Sequence, residues 1–172
     1  SRYDKDTFVE DVWGVVKETE LVKPVVVGHS FGGMISLATA HKYGNLMSGL
    51  VLVDFVVRRP ENHIEWYKDM PPSKPPKIRA SKEELIQRFR LMPPQDCQNQ
   101  FLLDFIAERS VRETDGGWSW TFDPSTYDHL EVGNNQHEII KKLNCPVSFI
   151  YGENTMEFDT GNSIEEMKEY IK

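Results

Sequence analysis

At 172 residues, with 39% apolar residues and a net charge of −7, the chain can bury a core of its own, and its acidic balance without a sustained basic stripe argues against nucleic acid as a partner. No apolar run reaches the length of a membrane span and no signal-peptide pattern is present. Cys97 and Cys145 are too few and too isolated for a disulfide framework or a structural metal site, so a soluble, cytoplasmic chain with no metal and no cofactor is expected.

In chain order, the first predicted element is a helix over "DTFVEDVWGVVKE". Phe8, Val12 and Val16 recur every fourth residue, Val9 and Trp13 lie beside them, and Thr7 with Glu10 reads as the capping box. "KPVVVG" follows as a strand, opened by Pro24 and built of consecutive β-branched residues, the composition of a parallel strand buried on both faces. "GGMISLATAHKYGN" continues as a helix that starts on small residues and stops at Gly44 and Asn45. "SGLVLVDFVV" is a second apolar strand, ending near Asp54, and "CPVSFIYGE" a third that again opens on a proline. "SIEEMKEYIK" closes as a helix with Ser163 and Glu166 as its capping box and Ile164, Met167 and Ile171 on one face. Strands alternating with helices imply an α/β fold with a parallel sheet.

Between the second and third strands the composition changes. Seven of the ten prolines fall in residues 60–94, and two helical stretches carry their own caps. In "SKEELIQRFRLM", Ser81 and Glu84 form a box while Leu85, Phe89 and Met92 line a face; "CQNQFLLDFIAER" presents Phe101, Leu102, Phe105 and Ile106. Residues 56–94 hold nine Lys or Arg against five Asp or Glu, net +4, leaving −11 for the rest. That surface is either a solvated helix face or a greeting for an anionic substrate handle such as a phosphopantetheine carrier. Trp118 and Trp120 either anchor the insertion to the core or line an acyl pocket.

The most informative stretch is "VVVGHSFGGM", a G-x-S-x-G pattern at Gly28, Ser30 and Gly32 placed between a strand and a helix. The bare pattern is weak, but its setting is not. A sharp strand-to-helix turn forces the serine into strained angles, and glycines are expected at 28 and 32 because a Cβ there would collide with the neighbouring elements. The Ser30 hydroxyl then stands clear beside a helix N-terminus that favours developing negative charge, with the Phe31 N–H as an oxyanion donor.

"VVVGHSFGGMISLA", "GLVLVDF", "GGWSWTFDP" and "CPVSFIYGEN", in this order and spacing, resemble a lid-bearing α/β-hydrolase of the esterase and epoxide-hydrolase-like group. The resemblance covers essentially the whole chain and implies a partial α/β-hydrolase core in residues 1–55 and 132–172. Its strands are equivalent to the fifth to seventh of that fold, and residues 56–131 form a helical lid. A serine at the elbow, rather than an aspartate, implies attack on a small or medium acyl ester or thioester through an acyl-enzyme. For the triad acid the resemblance offers Asp54 after the sixth strand. Many relatives instead place an aspartate in a G-x-x-D pattern after the seventh, where this chain has "GENT" and Thr155; Glu153 and Asp159 are the alternatives in that loop.

Family order puts the catalytic histidine last, yet the final histidine here is His137. His29, His41, His63, His129 and His137 are all expected on the surface or in packing. The missing general base, the absent first four strands, a start without methionine and a stop inside a helix point to a fragment. The alternative is a hydrolase-like binding or interaction protein that keeps the elbow without a base. Oligomeric state is not legible.

Overall fold

The computed structural model describes residues 3–59, 61, 73–92, 94–128, 133, 135–153, 155 and 163–171. The chain folds as two compact units, Ser1–Met70 with His129–Lys172, and Pro71–Asp128.

In the first unit, helix α1 spans Lys5–Glu18 and starts one turn earlier than the expected capping box. Asp4 is the cap, its carboxylate accepting from the Thr7 N–H at 2.8 Å and the Thr7 hydroxyl at 2.9 Å. An aspartate outranks a threonine at this position, and Thr7 becomes a donor within the first turn. Val9, Trp13 and Val16 are the buried face, as the periodicity requires.

Three parallel strands form the sheet: β1 (Val25–His29), β2 (Gly49–Val53) and, after the second unit, β5 (Val147–Ile150), in the order β1-β2-β5. Between β1 and β2 run helix α2 (Phe31–Tyr43) and a 3-10 turn, Gly44–Leu46. Gly44 sits in the right-handed region at φ −56°, so it does not end the helix by a left-handed turn; the chain tightens into the 3-10 turn instead. Helices α5 (Gln136–Lys141) and α6 (Ser163–Tyr170) complete the unit. The expected capping role of the Ser163 side chain lies outside the described residues.

One face of the sheet carries the core. Leu50 and Leu52 of β2 are 1% and 0% exposed and pack with Trp13, Leu37, Val57, Ile140, Met167 and Tyr170. Each such leucine contributes about 1.5–3 kcal/mol on burial. The opposite face corrects an expectation. Parallel partners share a side, so Val27 pairs onto the Val51 and Ser148 row and His29 onto the Val53 and Ile150 row. On that side Val25, Val27 and Ile150 are 55%, 63% and 56% exposed. The apolar run in β1 is therefore covered on one face only among the described residues, where Val26 packs half-buried against the core.

The second unit is less helical than expected. It holds α3 (Lys82–Gln87), α4 (Gln100–Arg109) and an antiparallel hairpin of β3 (Val111–Thr114) and β4 (Gly117–Trp120), followed by a 3-10 turn at Pro124–Tyr127. Ser81 does cap α3, accepting from the Glu84 N–H at 3.2 Å, but the helix ends before Phe89 and Met92. The Glu84 side chain reaches Arg79 at 3.3 Å and Arg88 at 3.4 Å instead of closing the box. On α4 the expected apolar face is open, with Phe101, Leu102 and Phe105 exposed and Ala107 buried. The hairpin was hidden in a sequence of polar strand residues, although Asp115-Gly116 is a turn signal. Gly117, at φ 142°, has no room for a Cβ because the Arg79 carbonyl lies against it; Arg79 and Trp118 exchange backbone hydrogen bonds of 2.8 and 2.7 Å. Trp118 lies under Lys82 and Trp120 beside Phe89, contacts within the same unit.

Candidate active site

Ser30 follows the last residue of β1 and caps α2 with φ 51° and ψ −118°, a combination that L-residues avoid. Its backbone stays in the ladder: the N–H donates to the Val53 carbonyl at 2.9 Å, while its own carbonyl accepts from the Gly33 N–H at 2.8 Å and so begins the helix. The residue is exposed and its hydroxyl makes no capping bond. Phe31, the first residue of α2, places its N–H at the positive end of a helix whose first turn carries no acidic residue. The Phe31 ring meets Phe8 edge-on at 5.4 Å, and Phe8 stacks on Tyr3 at 5.9 Å, so α1 braces the elbow from outside.

The glycines divide the work differently from the motif. A Cβ on Gly28 would strike the Gly32 carbonyl and the Ser36 hydroxyl, as expected, and Ser36 is buried there. Among the described residues nothing stands within 4 Å of a Cβ on Gly32, so none of them compels a glycine at that position. The close approach falls at Gly33, against the Phe55 side chain. The elbow is thus packed from both strands, by Gly28 within β1 and by Gly33 under the residue that follows Asp54.

Asp54 occupies the same position on β2 that Ser30 occupies on β1. It follows the last paired residue, has φ 47°, and donates its N–H to the Ile150 carbonyl at 2.8 Å. Its half-buried carboxylate is held at both oxygens by the segment after β5. The Gly152 N–H donates to Oδ1 at 2.8 Å and the Thr155 hydroxyl to Oδ2 at 3.1 Å. Thr155 and Gly152 were missed in the sequence as partners of an acid; the signal was the threonine of "GENT" itself. Beyond Asp54 the chain is pinned to α6: the Val57 N–H meets the Met167 sulfur at 3.2 Å and the Arg59 N–H meets Glu166 at 3.4 Å, while the Arg59 guanidinium bridges Glu169 at 2.7 Å.

The other candidates are either exposed, half-buried on a helix, or outside the described residues. Glu153 is exposed, and Asp159, His63 and His129 lie outside the described residues. His29 is an exposed strand residue beside Ser30, His41 is exposed on α2, and His137 lies on α5, half-buried with a buried Nδ1 that has no hydrogen-bond partner among the described residues. Among the described residues no group of His, Cys, Asp and Glu could hold a metal ion, and no helix is long and apolar enough to cross a membrane.

The family model for the alpha/beta hydrolase fold matches residues 1–169. The chain belongs to that family. It is 27% identical over 133 residues to the sn-1-specific diacylglycerol lipase ABHD11 of Danio rerio, covering 73% of this chain and 40% of the lipase. It is 32% identical over 75 residues to a carbendazim hydrolyzing esterase of Nocardioides sp., covering 44% of this chain and 30% of the esterase. The chain thus spans less than half the length of these two curated relatives. Among solved structures, a novel esterase from Mycobacterium tuberculosis superposes with a TM-score of 0.73 at 20% identity, over 99% of this chain and 57% of the esterase. The thioesterase domain from the curacin biosynthetic pathway does so with a TM-score of 0.67 at 21% identity, over 98% and 64%. These structures share the fold, a parallel sheet flanked by helices.

Proposed function

We propose that this hydrolase-family chain is the central and lid portion of a serine hydrolase that cleaves a small or medium acyl ester or thioester, with residues 56–131 as the lid. The observation that carries this reading is the strained, exposed Ser30 at the junction of β1 and α2. The lipase and esterase relatives support the ester class, and the chain's partial coverage of them supports its being part of a longer protein.

In this mechanism Ser30 Oγ attacks the acyl carbon and its proton passes to a histidine supplied from outside this chain. The Phe31 N–H takes up the developing oxyanion, and Asp54 orients the imidazole and stabilises its cationic form. The histidine then hands the proton to the departing alkoxide or thiolate, and water reverses the sequence to release the acid. Asp54 is favoured over Glu153 because it stands at the strand end beside Ser30, gripped at both oxygens, whereas Glu153 is exposed in the loop.

The test is fluorophosphonate labelling of the full-length protein. Labelling is expected in the wild type and absent in Ser30→Ala. Asp54→Asn is expected to lower turnover of p-nitrophenyl esters by orders of magnitude with the fold intact. Equal labelling with and without Ser30 sinks the serine assignment. Full turnover in Asp54→Asn, with Glu153→Gln or Asp159→Asn inactive, moves the acid to the loop after β5.

A further inference from the structure

We infer that Thr155 is a positioning residue for this reaction: its hydroxyl, together with the Gly152 N–H, fixes the plane in which the Asp54 carboxylate meets the imidazole. The inference rests on Asp54 being the acid.

An aspartate side chain held by one donor can still swing its second oxygen about the terminal torsion, which is broad and roughly two-fold. Here each oxygen has its own donor, Oδ1 the Gly152 N–H at 2.8 Å and Oδ2 the Thr155 hydroxyl at 3.1 Å. Both donors belong to one turn, closed by the Thr155 N–H donating to the Gly152 carbonyl at 3.2 Å, so they move together. Gly152 leaves the room this needs, since a Cβ there would stand 2.7 Å from Thr155 Oγ1. A carboxylate at 155 would face Asp54 with like charge, whereas a hydroxyl donates to it. The turn is therefore complementary to an acid that arrives from β2. Its threonine acts through Asp54 and touches no reacting atom.

Of the two donors only the hydroxyl can be deleted, and Thr155→Val does so with nearly unchanged shape. Full-length protein is treated with a fluorophosphonate over a concentration series, which separates the limiting inactivation rate from the apparent binding constant. Thr155→Val and Thr155→Ala are expected to lower the limiting rate on the order of ten- to a hundredfold with the binding constant within about twofold, the cost of a misplaced catalytic group. Thr155→Ser, which keeps the donor, is expected to recover most of the rate. A wild-type rate in either folded variant, failure of the serine to rescue, or loss of the fold in both Val and Ala variants overturns the inference. Asp54→Asn run alongside separates the two readings. If it reacts like the wild type, Asp54 is not the acid; if it is inert while Thr155→Val is normal, only the role of Thr155 fails.

Discussion

Ser30 and Asp54 share one backbone distortion: each turns to positive φ, 51° and 47°, one residue past His29 and Val53, which pair across β1 and β2. Neighbouring parallel strands lie about 4.8 Å apart, so two residues of positive φ at matching strand ends put a hydroxyl and a carboxylate at the same end of the sheet. Neither residue is a glycine, and at each the side chain is what the strain displays.

The strain at Ser30 has a measurable sign. A non-glycine residue in this region costs about 1–3 kcal/mol, and only removal of the Cβ relieves it. Ser30→Ala keeps the Cβ and the strain; Ser30→Gly loses both, against a chain-entropy cost of about 0.5–1 kcal/mol. Ser30→Gly is therefore expected to be more stable than Ser30→Ala by about 1 kcal/mol in chemical denaturation of the full-length protein. Equal midpoints would mean the elbow is not strained.

The two motif glycines are expected to behave oppositely. Gly28→Ala drives a methyl into the Gly32 carbonyl and should destabilise by about 3 kcal/mol, at the upper end of overpacking costs, because backbone cannot step aside. Gly32→Ala meets none of the described residues on the first turn of α2 and should be neutral or stabilising by about 0.5–1 kcal/mol. Similar losses in both variants would contradict this division.

Much of the first unit was legible because its signals are local. A proline-opened apolar run, a strand-turn-helix glycine pattern and a four-residue period each specify an element without knowledge of its neighbours. What was not legible depends on contacts distant in sequence. Gly33 matters because Phe55, on the other strand, lies against it, and Thr155 matters because Asp54 reaches it across about a hundred residues. The hairpin of β3 and β4 was lost for another reason. Arg112, Glu113 and Thr114 are exposed, so the strand lacks the apolar alternation that betrays one, and its stability comes from pairing with β4 and from Trp118 with Arg79.

Acid should loosen the contact between α1 and α2. The Glu10 carboxylate accepts from Lys42 at 2.6 Å and from the Tyr43 hydroxyl at 2.8 Å, which hold its pKa below the usual glutamate value, while the same carboxylate holds Lys42 and Tyr43 above theirs. A lowered carboxylate pKa stabilises fully above the unfolded value of about 4.3 and is lost as pH falls through the folded one. The raised lysine value works the other way, present below about 10.4 and lost at more alkaline pH. Glu10→Gln is therefore expected to flatten the melting temperature's fall below about pH 4. The difference from wild type should shrink in high salt, because the pair is about half exposed. The Trp13 and Tyr43 rings, stacked at 4.3 Å, keep the helices together throughout. An unchanged acid limb in Glu10→Gln would show that other carboxylates govern it.

The open face of the sheet should give one substitution opposite effects in two contexts. Val25, Val27 and Ile150 are more than half exposed, and β1 and β5 are the outer strands of the three described. Parallel sheets are stable with both faces covered, and flat apolar edges recruit other chains. The isolated 172-residue polypeptide is thus expected to self-associate and to bind a hydrophobic dye, and Val27→Lys to reduce both by placing a charge on that surface. In a full-length protein whose further elements cover the face, the same lysine would be buried without a partner and should destabilise by several kcal/mol. Sedimentation velocity on the short chain and denaturation of the long one read the two signs separately. A monomeric short chain with a cooperative melt would show that the face tolerates water. A neutral Val27→Lys in the long protein would show that nothing packs on it there either.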